Sequence, residues 1–196
     1  MATFTRGFSG RSHDRDPRLP PGQTLVGDWP VLSAGPTPRV STEAGSFTVT
    51  TETGEHSWSW DELLALGVED IVVDIHCVTH WSKLEMPWRG VSLDKIFAHV
   101  TTHQKFTMAH SYGGYTTNVP LDELLGGKSW IAIEADGKPL HPEHGGPARL
   151  LVPALYFWKS AKWVNGITMM PTDEPGFWEN AGYNLHGDPW KEERYW

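Results

Sequence analysis

The chain has almost nothing with which to cross-link itself and no apolar run long enough to cross a bilayer. One of its 196 residues is cysteine, Cys77, so no disulfide forms within the chain and the fold must rest on packing. No stretch approaches the roughly 18 apolar residues of a membrane span. The N-terminal Met1-Ala2-Thr3-Phe4-Thr5-Arg6-Gly7-Phe8 has no apolar core of a secretion signal. These absences lead us to expect a reducing, cytoplasmic setting and no membrane partner. Basic residues are scarce as well: 16 Lys and Arg stand against 24 Asp and Glu, a formal net charge of −8. That balance lacks the basic patch a nucleic acid requires and leaves a small molecule as the expected partner. There is no P-loop, no Rossmann glycine pattern and no Cys-x-x-Cys-His for covalent haem.

At 22.0 kDa one domain is expected, with residues 1–28, rich in Arg, Asp, Pro and Gly, as a poorly ordered arm and residues 29–196 as the domain. Glycine and proline, 20 and 15 of them, are spread throughout, which predicts short elements joined by many turns in an α+β fold. Ser46–Glu52 alternates as a strand and Thr53-Gly54-Glu55 turns it. Ser59-Trp60-Asp61-Glu62 has capping-box spacing ahead of a helix through Leu66, which Gly67 stops. A strand is expected at Ile71-Val72-Val73, and a helix capped by Ser92 through Phe97. Further strands are expected at Lys105–Ala109, Trp130–Glu134, Leu150–Val152 and Trp163–Met169, a short helix at Leu121–Leu125 and a hairpin turn at Asp136-Gly137. From Pro171 the aromatic-rich tail should wrap the outside as irregular chain. This reading puts the cysteine between a strand and a helix.

Cys77 closes the run Asp74-Ile75-His76-Cys77 and opens Val78-Thr79-His80-Trp81-Ser82. A free cysteine is most often a small buried hydrophobe. Here it ends an apolar run, stands between His76 and His80 and shares its loop with Trp81 and Trp88, which suits a thiol presented to a ligand. Zinc is one alternative, with His76, Cys77 and His80 as ligands, although no fourth ligand is indicated. A cysteine hydrolase is another, although nothing picks a base from ten histidines. A second signal lies downstream: from His144 to Thr172 there is no Asp or Glu, while Arg149, Lys159 and Lys162 fall inside. Two buried strands with solvated lysines at their ends would produce such a gap, and so would a site for phosphate, to which Arg offers a fork, Lys a point charge and Ser160 a hydroxyl. His144-Gly145-Gly146-Pro147-Ala148-Arg149 adds backbone that a ligand can approach closely. His110-Ser111-Tyr112-Gly113-Gly114-Tyr115 is explained equally by a strand end or by polar groups brought to a cleft.

Taken in order, His76-Cys77-Val78-Thr79-His80-Trp81-Ser82, Trp88-Arg89-Gly90-Val91, Gly114-Tyr115-Thr116-Thr117, Gly145-Gly146-Pro147-Ala148-Arg149 and Tyr156-Phe157-Trp158-Lys159-Ser160-Ala161-Lys162-Trp163 resemble the molybdopterin-binding domain of the sulfite oxidase family, from about Pro30 to the C-terminus. The resemblance implies that family's fold, mixed sheets with short helices and long loops. It also implies a mononuclear molybdenum held by the dithiolene of one molybdopterin and by one protein thiolate. Cys77 matches that thiolate, a soft ligand for a thiophilic metal. Arg149, Ser160, Ala161 and Lys162 match positions that hold the pterin and its phosphate. Ser111 falls where some relatives place a hydroxyl against the cofactor and His144 where some place asparagine, and His76 flanks the thiolate. His80, Tyr112, Tyr115 and Trp81 become candidates for orientation and proton transfer. His80 stands where many relatives carry arginine.

In activity, the resemblance implies a two-electron oxotransferase acting on a small S- or N-oxide or on sulfite. Such a protein is expected to have no haem, to exchange electrons with a separate carrier and to be a monomer. With the identifiable cations assigned to phosphate, reduction of an oxide is favoured over oxidation of the anion sulfite, unless Arg39 or Arg89 folds back toward Cys77. A non-catalytic molybdopterin-binding module is the alternative from another class.

Overall fold

The computed structural model describes residues 16–43 and 45–196. It is built on two mixed β-sheets. In chain order the strands and helices are β1 (Thr24–Leu25), β2 (Ser46–Thr51), β3 (Gly54–Ser59), α1 (Trp60–Ala65), β4 (Val68–His76), β5 (Trp81–Ser92) and α2 (Leu93–Phe97). There follow β6 (Phe106–Ser111), β7 (Thr116–Pro120), α3 (Leu121–Leu124), β8 (Trp130–Ala135), β9 (Lys138–Pro139), β10 (Arg149–Leu151), β11 (Val164–Met170) and α4 (Phe177–Asn180). One sheet runs β1-β5-β8-β10, with β4 also on β5 and β9 on β8; the other runs β3-β2-β11-β6-β7. The α+β expectation holds, with mixed sheets and short helices.

Local chemistry explains the elements that the sequence predicts. Ser59 and Glu62 form the reciprocal capping box of α1, and Ser92 accepts from the Asp94 N–H at the start of α2, each satisfying N–H groups that a helix start leaves free. Asp136 and Gly137 take positive φ, 51° and 72°, between β8 and β9, as a tight hairpin requires.

Two differences bear on function. The segment after Cys77 is a strand, and Cys77 lies in a hairpin turn between β4 and β5, not between a strand and a helix. Residues 81–92 hide their strand character behind Pro87 and Gly90, which ordinarily interrupt strands. Pro87 has a register partner in Val72 of β4 and none in β8, which joins β5 from Trp88 onward, and its carbonyl accepts from Asp136 N–H in the turn beyond β8. At Gly90 a Cβ would meet the Ile131 carbonyl oxygen at 2.5 Å, so glycine lets β8 come close. The expected arm, residues 1–28, lies outside the described residues up to residue 15. From residue 16 it is placed: Thr24–Leu25 runs parallel to β5 at Trp81–Ser82, and Gln23 is buried. Ordered structure therefore begins ahead of residue 29, because this segment completes the edge of β5.

The tail does more than cover the outside. Helix α4 carries Glu179 into the interior, 1% exposed, against Lys159 at 0%. Lys159 Nζ lies 2.7 Å from Glu179 Oε1 and also donates to Asn118 Oδ1 and to the Asn118 and Leu185 carbonyls. Thr117 and the Trp158 indole donate to the same Glu179 oxygen. Removing one partner of such a pair strands a buried charge, so Glu179→Leu should lower stability by about 3–5 kcal/mol. The double variant Lys159→Met/Glu179→Leu should recover most of that loss, and urea unfolding of both checks the expectation.

Candidate active site

Cys77 belongs to an apolar cluster with Val78, Trp81, Trp88, Tyr156 and Trp158. Its turn closes locally: Cys77 N–H donates to the Trp81 carbonyl at 2.8 Å and His80 N–H to the Cys77 carbonyl at 3.1 Å. His80 has φ 73°, the left-handed conformation that ends such a turn and that histidine adopts more readily than most residues. Distant residues hold the turn from behind. Gln23 donates through Nε2 to the Cys77 carbonyl at 2.9 Å, and Arg194 donates to the Val78 carbonyl with its guanidinium over the Tyr156 ring, 4.8 Å from the centroid.

The thiol lies 3.1 Å from Thr79 Oγ1. Burial pushes it above the ordinary cysteine range, against the Thr79 hydrogen bonds and the charges of Arg194 and Arg149. A cysteine hydrolase needs the reverse, a depressed thiol beside a base, and no histidine bonds Cys77 Sγ among the described residues. The zinc alternative fares no better: His76 Nδ1 pairs with Ser82 Oγ at 2.8 Å, His80 Nδ1 with the Gly22 carbonyl at 3.0 Å, and the described residues contain no cluster of three or more His, Cys, Asp or Glu placed for a metal.

Cys77 opens onto a cavity of about 540 Å3, which Arg149, His144, Ser160, Ala161, Lys162 and Tyr115 also line. No acidic side chain lines it among the described residues. Strand β10 presents Arg149, 1% exposed, whose guanidinium donates to the His144 and Ser160 carbonyls at 2.8 and 2.6 Å and lies 4.0 Å from the Phe157 ring centroid. Its Nε is buried without a partner. Lys162 Nζ donates to the Leu32 and Glu143 carbonyls, each at 2.6 Å. Neither cation has a carboxylate partner among the described residues, and the Arg149 charge weakens Lys162. Burial, then the Arg149 charge, pulls Lys162 down to about 8, and burial takes Arg149 down to about 9. His144, stacked on Trp29 with centroids 3.9 Å apart, falls to about 4 through burial and then the two cations, so it is neutral at pH 7. Uncompensated, desolvated positive charge is what an anion site holds in reserve.

The cavity thus gathers Cys77, Trp81, Tyr115, His144, Arg149, Ser160, Ala161 and Lys162, and leaves His76, His80, Ser111 and Tyr112 outside its lining. His76 turns across the hairpin to Ser82. His80 is exposed on the turn. Ser111 is buried with its Oγ unpartnered, and Tyr112 is exposed, within hydrogen-bonding distance of the Ser46 backbone. Ser160 serves the backbone, its Oγ accepting from Val152 N–H at 2.9 Å, and the Tyr115 hydroxyl donates to the Trp158 carbonyl at 2.7 Å. Lys159, counted among the cations of the acid-free stretch, is neutralised by Glu179. Arg89 pairs with Asp70 and Glu134, and Arg39 does not line the cavity. Arg194 and Gln23 escape sequence reasoning, because nothing local ties residues 23 and 194 to residue 77.

The sequence matches the family described as the oxidoreductase molybdopterin binding domain over residues 34–178. The chain belongs to this family. It is 39% identical over 189 residues to the uncharacterised oxidoreductase YuiH of Bacillus subtilis, covering 94% of this chain and 96% of that protein. It is 27% identical over 135 residues to a protein of Azospira oryzae named for a protein-methionine-sulfoxide reductase subunit, YedZ1, covering 68% of this chain and 51% of that protein. The sulfane dehydrogenase SoxCD of Paracoccus pantotrophus shares the fold, with a TM-score of 0.61 at 18% identity over 69% of this chain and 40% of the SoxCD chain. The chain thus spans about half of the Azospira protein and less of SoxCD. Residues 34–178 include Cys77, Arg149, Lys162 and most of the cavity lining, while Trp29, Pro30, Leu32, Ser33 and Tyr183 of that lining lie outside the matched segment. No helix among the described residues is long and apolar enough to cross a membrane.

Lys162 makes this cation cluster testable by pH. Its folded value of about 8 lies below the ordinary 10.5, so between these values the unfolded chain binds more protons and this group makes stability rise with pH. Thermal unfolding of apoprotein from pH 7.5 to pH 10 should show that rise, and Lys162→Met should flatten it. Affinity for inorganic phosphate, a probe for an anion at this cluster, should move the other way, falling as pH rises through about 8 and the ammonium is lost.

Proposed function

We propose that this protein is a two-electron oxotransferase whose molybdenum is held by one molybdopterin and by Cys77. The observation that carries this reading is the opening of one thiol and two carboxylate-free cations onto a single cavity. The residues fit the cofactor. A phosphate would meet the orphaned Arg149 Nε and the Lys162 ammonium, restoring to both the charge that burial opposes. Trp29, stacked on neutral His144, supplies flat apolar surface beside them. Cys77 offers the soft ligand, and the Arg194 and Arg149 charges favour its thiolate.

When bound, the cofactor supplies the reversible two-electron chemistry that the side chains lack. The chain binds and orients. Gln23 and Arg194 fix the cysteine turn, Arg149 and Lys162 fix the phosphate, and the surrounding tryptophans exclude water. Tyr115, donating to the Trp158 carbonyl, and His144, stacked on Trp29, fix the geometry of the cavity wall. The substrate in this reading is a neutral S- or N-oxide: Arg149 and Lys162 are committed to phosphate, Arg89 to its carboxylates, and Arg194 to carbonyls behind the turn, so little is left to bind sulfite. The sulfur–oxygen or nitrogen–oxygen bond breaks, and the oxygen leaves as water with two protons from solvent. Two electrons arrive singly from a separate low-potential carrier. The protein works in the cytoplasm as a haem-free monomer.

Protein made in a host competent for cofactor synthesis should carry about one molybdenum and one pterin per chain, measured by elemental analysis and by fluorescence of the oxidised pterin. Cys77→Ser exchanges a soft thiolate for a hard, protonated hydroxyl of similar size. It should abolish viologen-dependent oxide reduction while leaving the circular dichroism unchanged. Parent turnover in that variant, or zinc in place of molybdenum, would overturn the reading.

A further inference from the structure

The aromatic side chains around the cavity divide into two sets. One surrounds the cations: Trp29 contacts Phe157 at 5.7 Å and stacks on His144, and Phe157 lies under Arg149. The other belongs to the tail. Trp158 and Trp178 each lie 5.0 Å from Tyr183, Phe177 lies 5.1 Å from Trp178, and Tyr115 lies 5.8 Å from Phe177. No ring contact joins the two sets among the described residues. The split falls between consecutive residues, because the 3-10 turn Phe157–Lys159 sends Phe157 to one set and Trp158 to the other.

The second set has no charge to offer. Lys159, 5.9 Å from the Trp158 ring centroid, is neutralised by Glu179. The set's hydrogen-bonding capacity is used in part: the Trp158 indole donates to Glu179 and the Tyr115 hydroxyl to the Trp158 carbonyl, while the Trp178 indole and the Tyr183 hydroxyl, on two further lining residues, have no hydrogen-bond partner among the described residues. Beyond those two polar groups the set offers ring faces, and Phe177, on the cavity wall, is 45% exposed. A pterin ring, edged with several amide and amine groups, needs more matched donors and acceptors than one indole N–H and one hydroxyl supply. An apolar group needs only area and aromatic geometry. Apolar and aromatic side chains on a cavity wall are ordinary contact area for a ligand.

We infer that the oxide taken by this cavity carries an apolar, aromatic-sized substituent that packs on Phe177, Trp178 and Tyr183, while the cofactor lies against the Arg149 and Lys162 set. This rests on the oxide-reductase reading above and narrows it to a substrate class, aryl or similarly bulky sulfoxides and N-oxides, with the same balance of two electrons and two protons yielding the thioether or amine and water.

The test uses holoenzyme with reduced methyl viologen, comparing methyl phenyl sulfoxide with dimethyl sulfoxide. The phenyl compound should have the higher kcat/KM by about tenfold or more, the factor that one good aromatic contact supplies. Phe177→Ala, at a half-exposed position where truncation opens no core, and Trp178→Ala should each reduce that ratio through KM while keeping the parent's molybdenum and pterin content. Methyl phenyl sulfone should quench tryptophan fluorescence of the parent on binding, and do so more weakly in Phe177→Ala. Equal kcat/KM for the two sulfoxides would overturn the inference and leave oxide reduction standing. Loss of pterin in Trp178→Ala would place the cofactor on these rings and overturn it as well. Sulfite oxidation with neither sulfoxide reduced would overturn this inference and the reading on which it rests.

Discussion

The hold that Gln23 and Arg194 exert on two consecutive carbonyls, those of Cys77 and Val78, is the constraint on which the site depends. The first two residues of the hairpin turn, Cys77 and Val78, are buried in an aromatic cluster, and buried carbonyls require partners. The chain supplies them from near its two ends. Arg194 brings more than a hydrogen bond: its guanidinium, 7% exposed, lies over Tyr156 and sets a fixed positive charge behind the thiol. The same arrangement gives the N-terminal segment and the tail their reason to be ordered, since Thr24–Leu25 pairs with β5 at the residues that close the turn.

Charge is handled in two opposite ways within one short stretch. Lys159 is buried and fully answered, by Glu179, two carbonyls and an amide oxygen, and it holds the tail to the body. Arg149 and Lys162 are buried or half-buried and answered only by carbonyls, which leaves their charge depressed and available. A stable interior calls for the first arrangement. The second departs from the rule that buried charge be paired, and such departures gather where a ligand completes the structure. The cluster is therefore a place where the fold gives up stability that a bound anion would restore.

Much of the fold was legible because its cues are local. Ser59 with Glu62, Ser92, and Asp136-Gly137 each act within a few residues, and their elements form where expected. Strand β5 was not legible, since Pro87 and Gly90 are tolerated for reasons that lie in β8. For the site, Cys77, Arg149 and Lys162 stood out through an isolated thiol and an acid-free stretch, and the resemblance to the sulfite oxidase family tied them together. Nearness in sequence misled for the histidines: strand geometry sends His76 across to Ser82, and the left-handed turn leaves His80 outside. Glu179 and Arg194, in a tail expected to be a passive wrap, were beyond any local signal, because their partners lie more than a dozen residues away.

X-ray absorption at the molybdenum K-edge of the loaded protein tests the central claim most directly, since it counts the sulfur atoms bound to the metal. Ligation by Cys77 together with one dithiolene predicts about three sulfur neighbours in the parent and one fewer in any Cys77→Ser protein that retains metal. A count of about two in the parent, unchanged by the substitution, would show that the thiol is not the ligand.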